Sequence, residues 1–173
     1  MATQSAILWP AHFLSGTTDA FISNEIIAAK ITATQIWALL HDISKWESYY
    51  KNCANITVPD EGPALEEGRV FKFSTFGFLP LTCVVVECVA PGEREGEREG
   101  GRVGTCGRLA WECRTEGVEV RHAWLVEDLE GGRVRVLTQE SQIGPVSHSI
   151  SFPFRILVEN AAVFLFKGCG LTP

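Results

Sequence analysis

The chain has 173 residues, of which 46% are hydrophobic and 21% charged, with a formal net charge of −6. That size and composition give one globular domain, large enough to bury a core or enclose a cavity. The acidic balance, with no basic patch, argues against nucleic acid or an anionic membrane as partner.

Residues 1–20 read as an irregular arm, with Trp9, Phe13 and Leu14 packing back on the body. The arm lacks the positive region and long apolar run of a secretory signal. Residues 21–31 form a first strand. Thr32 or Thr34 then caps a short helix through Leu40, with Ile36, Leu39 and Leu40 apolar at helical spacing. His41-Asp42 ends it, and Ser44 caps a second short helix carrying Trp46, Tyr49 and Tyr50. Strands follow at about 53–58, 69–76 and 81–89, the last two joined by the turn 77–80. Residues 91–104 hold an EREG direct repeat, expected to be a flexible, solvated hairpin loop without chemistry of its own.

A strand at about 106–115 passes through Trp111 and leads into a hairpin over 119–144. Alternation puts Val120, His122, Trp124 and Val126 on one face of its first strand, and Val134, Val136, Thr138 and Glu140 on one face of its second. A three-residue loop, Glu130–Gly132, pairs Leu129 with Arg133, and so Val126 with Val136, Trp124 with Thr138 and His122 with Glu140. A two-residue Gly-Gly loop would set Val126 against Leu137 and mix apolar with polar faces. The same register sets Glu127 opposite Arg135 on the other face, where both charges are expected to meet water. After Gly144-Pro145 comes a closing helix at about 152–167, with Phe154, Leu157, Val158, Ala161, Phe164 and Leu165 as its apolar stripe. Arg155, Glu159 and Asn160 interrupt this segment, so no stable membrane insertion is expected.

The six cysteines, Cys53, Cys83, Cys88, Cys106, Cys113 and Cys169, form no CxxC pair and no Cys/His metal pattern. Reduced thiols in a cytoplasmic protein are the expectation, with no metal and no cofactor. His12, His41 and His148 have no metal-like spacing and are expected at the surface or at caps.

The order β–α–α–β–β–β–β–β–β–α carries a resemblance. Ala33-x-x-Ile36-Trp37-x-x-Leu40-x-Asp42-x-x-x-Trp46 follows the first strand, and Glu67-Gly68-x-x-Phe71 enters a later one. Arg108-Leu109-Ala110-Trp111, His122-x-Trp124, the Gly131-Gly132 hairpin and Glu140-Ser141-x-x-x-Gly144 complete the series over about 21–167. In this order the chain resembles the START-like, helix-grip superfamily of SRPBCC proteins and polyketide cyclase/dehydrases. The resemblance implies an α+β helix-grip fold: a curved antiparallel sheet wrapped around a long C-terminal helix, two short helices after strand 1, and an internal cavity. The domain spans 21–167, and 168–173 form a tail. Relatives bind lipids, hormones and pigments, or cyclise and dehydrate polyketide-like intermediates.

The candidate catalytic residues are therefore His122, Glu140 and Tyr50. Histidine moves protons near neutral pH, a neighbouring carboxylate orients its tautomer, and a tyrosine at the mouth can donate to a carbonyl oxygen. The candidate substrate-binding residues are Trp46, Tyr49, Phe71, Phe73, Trp111, Trp124, Thr138, Phe154, Leu157 and Val158. The bland alternative makes the His122–Glu140 pair a satisfied structural contact and the aromatic residues ordinary core. The expected function is a cofactor-independent cyclase, dehydratase or isomerase for a hydrophobic, polyketide- or terpenoid-like molecule; the runner-up is a non-catalytic carrier of such molecules. Monomer and homodimer are both compatible with the sequence.

Overall fold

A computed structural model describes residues 4–50, 53–75, 79–92 and 106–145. Strand β1 (Ala20–Ala29) is followed by helices α1 (Ala33–Leu40) and α2 (Trp46–Tyr49). Strands β2 (Cys53–Thr57), β3 (Val70–Thr75), β4 (Leu81–Val89), β5 (Gly107–Thr115), β6 (Val118–Leu129) and β7 (Arg133–Ile143) complete the order. The seven strands make one antiparallel sheet, ordered β1-β7-β6-β5-β4-β3-β2 and strongly curled. The expected closing helix at 152–167 and the EREG loop from residue 93 lie outside the described residues.

Helix α1 begins where three acceptors meet its first free amides. Thr32 accepts from the Gln35 amide while Gln35 accepts from the Thr32 amide, a reciprocal box. Asp128 of β6 reaches across to accept from the Ala33 amide at 2.8 Å. Ile36, Trp37 and Leu40 are buried against the sheet. The next turn is capped by Asp42, whose carboxylate accepts from the Ser44 amide, so Ser44 is not the cap that the sequence suggested. An aspartate two residues upstream reaches that amide with a charged acceptor, a stronger bond than a hydroxyl makes.

The β6–β7 hairpin has the expected register: Leu129 faces Arg133, Trp124 faces Thr138, His122 faces Glu140 and Glu127 faces Arg135. Gly131 and Gly132 both take positive φ in the turn, at 77° and 66°, a conformation that costs glycine little. Alternation then gives the sheet two different faces. One holds the main core, with Phe71, Phe73, Cys83, Val85, Leu109, Trp111, Val120, Trp124, Val126, Val134 and Val136 packed beneath α1 and α2. On the opposite face Ala110, Ala123, Leu125 and Leu137 form a smaller core with Ile7 of the arm.

The arm explains a departure from expectation. Glu127 and Arg135 do not meet water: both are buried on this second face. Arg135 donates to Glu127 at 2.6 Å, to Glu25 at 2.8 Å and to the Ser5 carbonyl at 2.8 Å. Arg108 donates to the Ala6 carbonyl, and the Trp9 indole to Gln139. Phe13 is buried as expected, but Leu14 stays 45% exposed, because the chain turns away from the sheet after Phe13.

A second correction concerns the thiols. Cys83 and Cys113 are direct cross-strand neighbours on β4 and β5, with Cα atoms 4.4 Å apart, and are joined as a disulfide. That separation is typical of a non-hydrogen-bonded antiparallel pair, where side chains come closest. Among the described residues, Cys53, Cys88 and Cys106 stand outside any disulfide, and the Cys88 thiol donates to the Leu65 carbonyl.

Candidate active site

The centre of the main face is polar at one place. His122 of β6 and Glu140 of β7 stand side by side by register, and both are almost fully buried, at 3% and 1% exposure. His122 Nδ1 lies 2.8 Å from Glu140 Oε2. The other carboxyl oxygen, Oε1, accepts from the Gln142 amide nitrogen. A carboxylate with both oxygens accepting requires the hydrogen to sit on Nδ1, so Nε2 of the neutral ring is an acceptor. That acceptor faces the Thr138 hydroxyl at 3.0 Å. Four residues therefore form one chain: Gln142, Glu140, His122, Thr138. Three of them share one face of β7, two residues apart, because the strand period is two.

The ring plane is held as well. Trp111, opposite His122 on β5, stacks on the imidazole with centroids 4.6 Å apart and planes 11° from parallel. Trp124, two residues along β6, lies 5.6 Å away with its ring tilted by 46°. Its indole N–H is buried and has no hydrogen-bond partner among the described residues. With His122 bonded at both nitrogens and stacked on Trp111, its rotamer is strongly determined.

The remaining predicted residues divide into two groups. Trp46, Phe71, Phe73 and Trp111 pack on one another with ring centroids 5.4–6.4 Å apart. The Trp46 indole donates to the Leu40 carbonyl and the Tyr49 hydroxyl to the Leu39 carbonyl, so both polar ends tie α2 to α1. These side chains serve as core and as the backing of Trp111. Tyr50 stands closer to the polar chain. Burial, above all, pushes its hydroxyl well above the usual phenol range, with the nearby Cys53 and Glu140 adding to the effect. It stays a neutral donor at any physiological pH. Phe154, Leu157, Val158 and His148 lie outside the described residues. Asn24 of β1, opposite Thr138 in the sheet, was not singled out from sequence; the β1–β7 pairing that brings it there joins strands over a hundred residues apart.

Among the described residues no group of three His, Cys, Asp or Glu side chains could hold a metal ion, and no helix is long and apolar enough to cross a membrane. Cys53 shares the main face, and burial pushes its thiol up to about 12. A thiol so perturbed is a poor nucleophile at neutral pH.

No family model matches the chain, and neither does any curated protein. Solved structures do. A hypothetical protein of Helicobacter pylori is 35% identical, with 97% of this chain and 96% of that one covered and a TM-score of 0.77. A START superfamily protein of Mycobacterium smegmatis superposes with a TM-score of 0.53 at 8% identity, over 86% of this chain and 93% of that one. Truncated norcoclaurine synthase of Thalictrum flavum gives 0.52 at 10% identity, over 86% and 89%. Strand order and the paired short helices agree with these likenesses: the fold is START-like, and the chain belongs to one family with the Helicobacter pylori protein.

Proposed function

We propose that the main face of the sheet binds a small hydrophobic molecule and that His122 moves a proton on it. The reaction class is cyclisation, dehydration or isomerisation of a polyketide- or terpenoid-like substrate by general acid–base chemistry. One observation carries this reading: an imidazole with Nδ1 committed to Glu140 and Nε2 bonded only to a hydroxyl, set in an otherwise apolar, aromatic surface. Nδ1 is spent on orientation, so Nε2 is the atom that exchanges a proton with the ligand. Tyr50, a buried phenol near Glu140, is the residue assigned to protonate a carbonyl oxygen. Norcoclaurine synthase, an enzyme by its name, lends the fold a catalytic precedent without passing on its substrate.

A carrier is the second reading, favoured by one fact: His122 is satisfied at both nitrogens within the protein, as a purely structural histidine would be. Isotope exchange separates the two. In deuterated buffer an apolar ketone such as 2-tetralone gains deuterium beside its carbonyl faster with the protein than without it. His122→Gln removes that acceleration while quenching of tryptophan fluorescence by the ketone persists. If His122→Gln keeps both exchange and binding, the base is elsewhere; if the wild type binds but never exchanges, the protein is a carrier.

A further inference from the structure

The Thr138 hydroxyl has a second consequence. A hydroxyl 3.0 Å from an imidazole nitrogen, with the other nitrogen 2.8 Å from a carboxylate, is the geometry of an activated nucleophile: acceptor base behind the hydroxyl, orienting acid behind the base. We infer that Thr138, His122 and Glu140 form a nucleophile–base–acid triad that cleaves carboxylic esters with an apolar acyl group through an acyl-threonine intermediate. This rests on the same His122 base as the proton-transfer reading, but it asks for covalent chemistry that the first reading does not need.

Three further features fit acyl transfer. Gln142 holds the second oxygen of Glu140, so the carboxyl group is fixed at both ends. Trp111 stacks on the ring and prevents His122 from turning its Nε2 away from Thr138. Trp124 is the direct cross-strand partner of Thr138, and its buried indole N–H, without a partner among the described residues, is the donor beside the position where an oxyanion would form. Burial of these side chains strengthens each of these bonds.

The steps balance without a cofactor. Thr138 Oγ1 attacks the ester carbonyl carbon; the new C–O bond forms, the hydroxyl proton passes to His122 Nε2, and the carbonyl electron pair moves onto oxygen, facing the Trp124 N–H. The adduct collapses, the bond to the alcohol oxygen breaks, and the alcohol leaves with the proton from Nε2. Water then attacks the acyl-threonine carbon, gives its proton to Nε2, and Thr138 departs as a hydroxyl with that proton. The sum is ester plus water to acid plus alcohol.

The test uses the full chain and p-nitrophenyl octanoate, whose acyl chain suits an apolar face. The expected result is a burst of nitrophenol, an intact mass raised by one octanoyl group after acid quench, and peptide mapping that places the group on Thr138. Thr138→Val keeps shape and removes the hydroxyl; it should lose the burst and roughly 10³-fold in rate, whereas Thr138→Ser retains both. Melting curves for the two variants separate lost chemistry from lost folding, and labelling of the wild type needs no variant at all. An adduct on another residue, or no adduct and no turnover, overturns the triad. In the second case, ketone exchange that still depends on His122 leaves the proton-transfer reading standing; loss of exchange as well removes both.

Discussion

Arg135 is the most exposed test of how the two faces of the sheet cooperate. Its guanidinium is buried on the second face and satisfies three separate groups: Glu127, Glu25 and the Ser5 carbonyl. Replacing it by methionine preserves much of the volume and strands its partners unequally. The Glu25 side chain is 40% exposed and regains water, so its share is on the order of 1 kcal/mol or less. The Glu127 side chain is 10% exposed and cannot, which leaves a buried carboxylate without its countercharge. Such a loss costs about 3–5 kcal/mol. For a domain of this size that is a fall in Tm of roughly 6–20 °C. Chemical denaturation of wild type and Arg135→Met gives the difference directly. The double variant Arg135→Met/Glu127→Leu removes the stranded charge with its partner, and should recover most of the loss. A single variant within about 0.5 kcal/mol of wild type, or a double variant as unstable as the single, would refute this account.

Two further expectations concern the cysteines. The Cys83–Cys113 disulfide closes a loop with a sequence separation of 30, so a reductant should lower stability by about 3–4 kcal/mol on the chain-entropy model; unchanged denaturation midpoints with and without dithiothreitol would remove it from the account. Cys53, with its thiol raised from 9.0 to about 12, lacks its reactive thiolate below that pH, so native alkylation by iodoacetamide at pH 9 should run roughly 500-fold slower than for an unperturbed thiol, as followed by peptide mass mapping over time.

What could be read from the residues alone was local or strictly periodic. The β6–β7 register followed from a three-residue Gly-containing loop and from matching apolar alternation on both strands, and it put His122 beside Glu140 before any coordinates did. The cap at Thr32 was equally local, one of two threonines the sequence offered, whereas the reciprocal bond from Gln35 was not read. Contacts set by distant segments were not legible. The arm seats Ile7 and Trp9 on the second face through single carbonyls and one indole, a pattern with no period, and so the burial of Glu127 and Arg135 went unforeseen. The Cys83–Cys113 bond needs the β4–β5 register, and the low-complexity stretch between those strands gives no turn signal from which to count. Thr138 was placed on the correct face, but alternation says only which face a hydroxyl shares, not which nitrogen it meets. Many tryptophans suggested a ligand wall; Trp46 and Trp111 also pack on Phe71 and Phe73, since aromatic edges and faces pair well inside a core.

The hairpin that carries His122 and Glu140 also carries Glu127 and Arg135, on alternate residues of the same two strands. A slip of one residue in this hairpin would thus be punished twice, by scattering the polar chain on one side and by orphaning the buried ion pair on the other. The buried ion pair on the second face acts as a proofreading device for the polar chain on the main face, and the N-terminal arm is the clasp that makes the proof count. An engineer who shortens the Glu130–Gly132 loop or trims the arm should therefore expect the His122 side of the sheet to lose its alignment first, although neither change touches it.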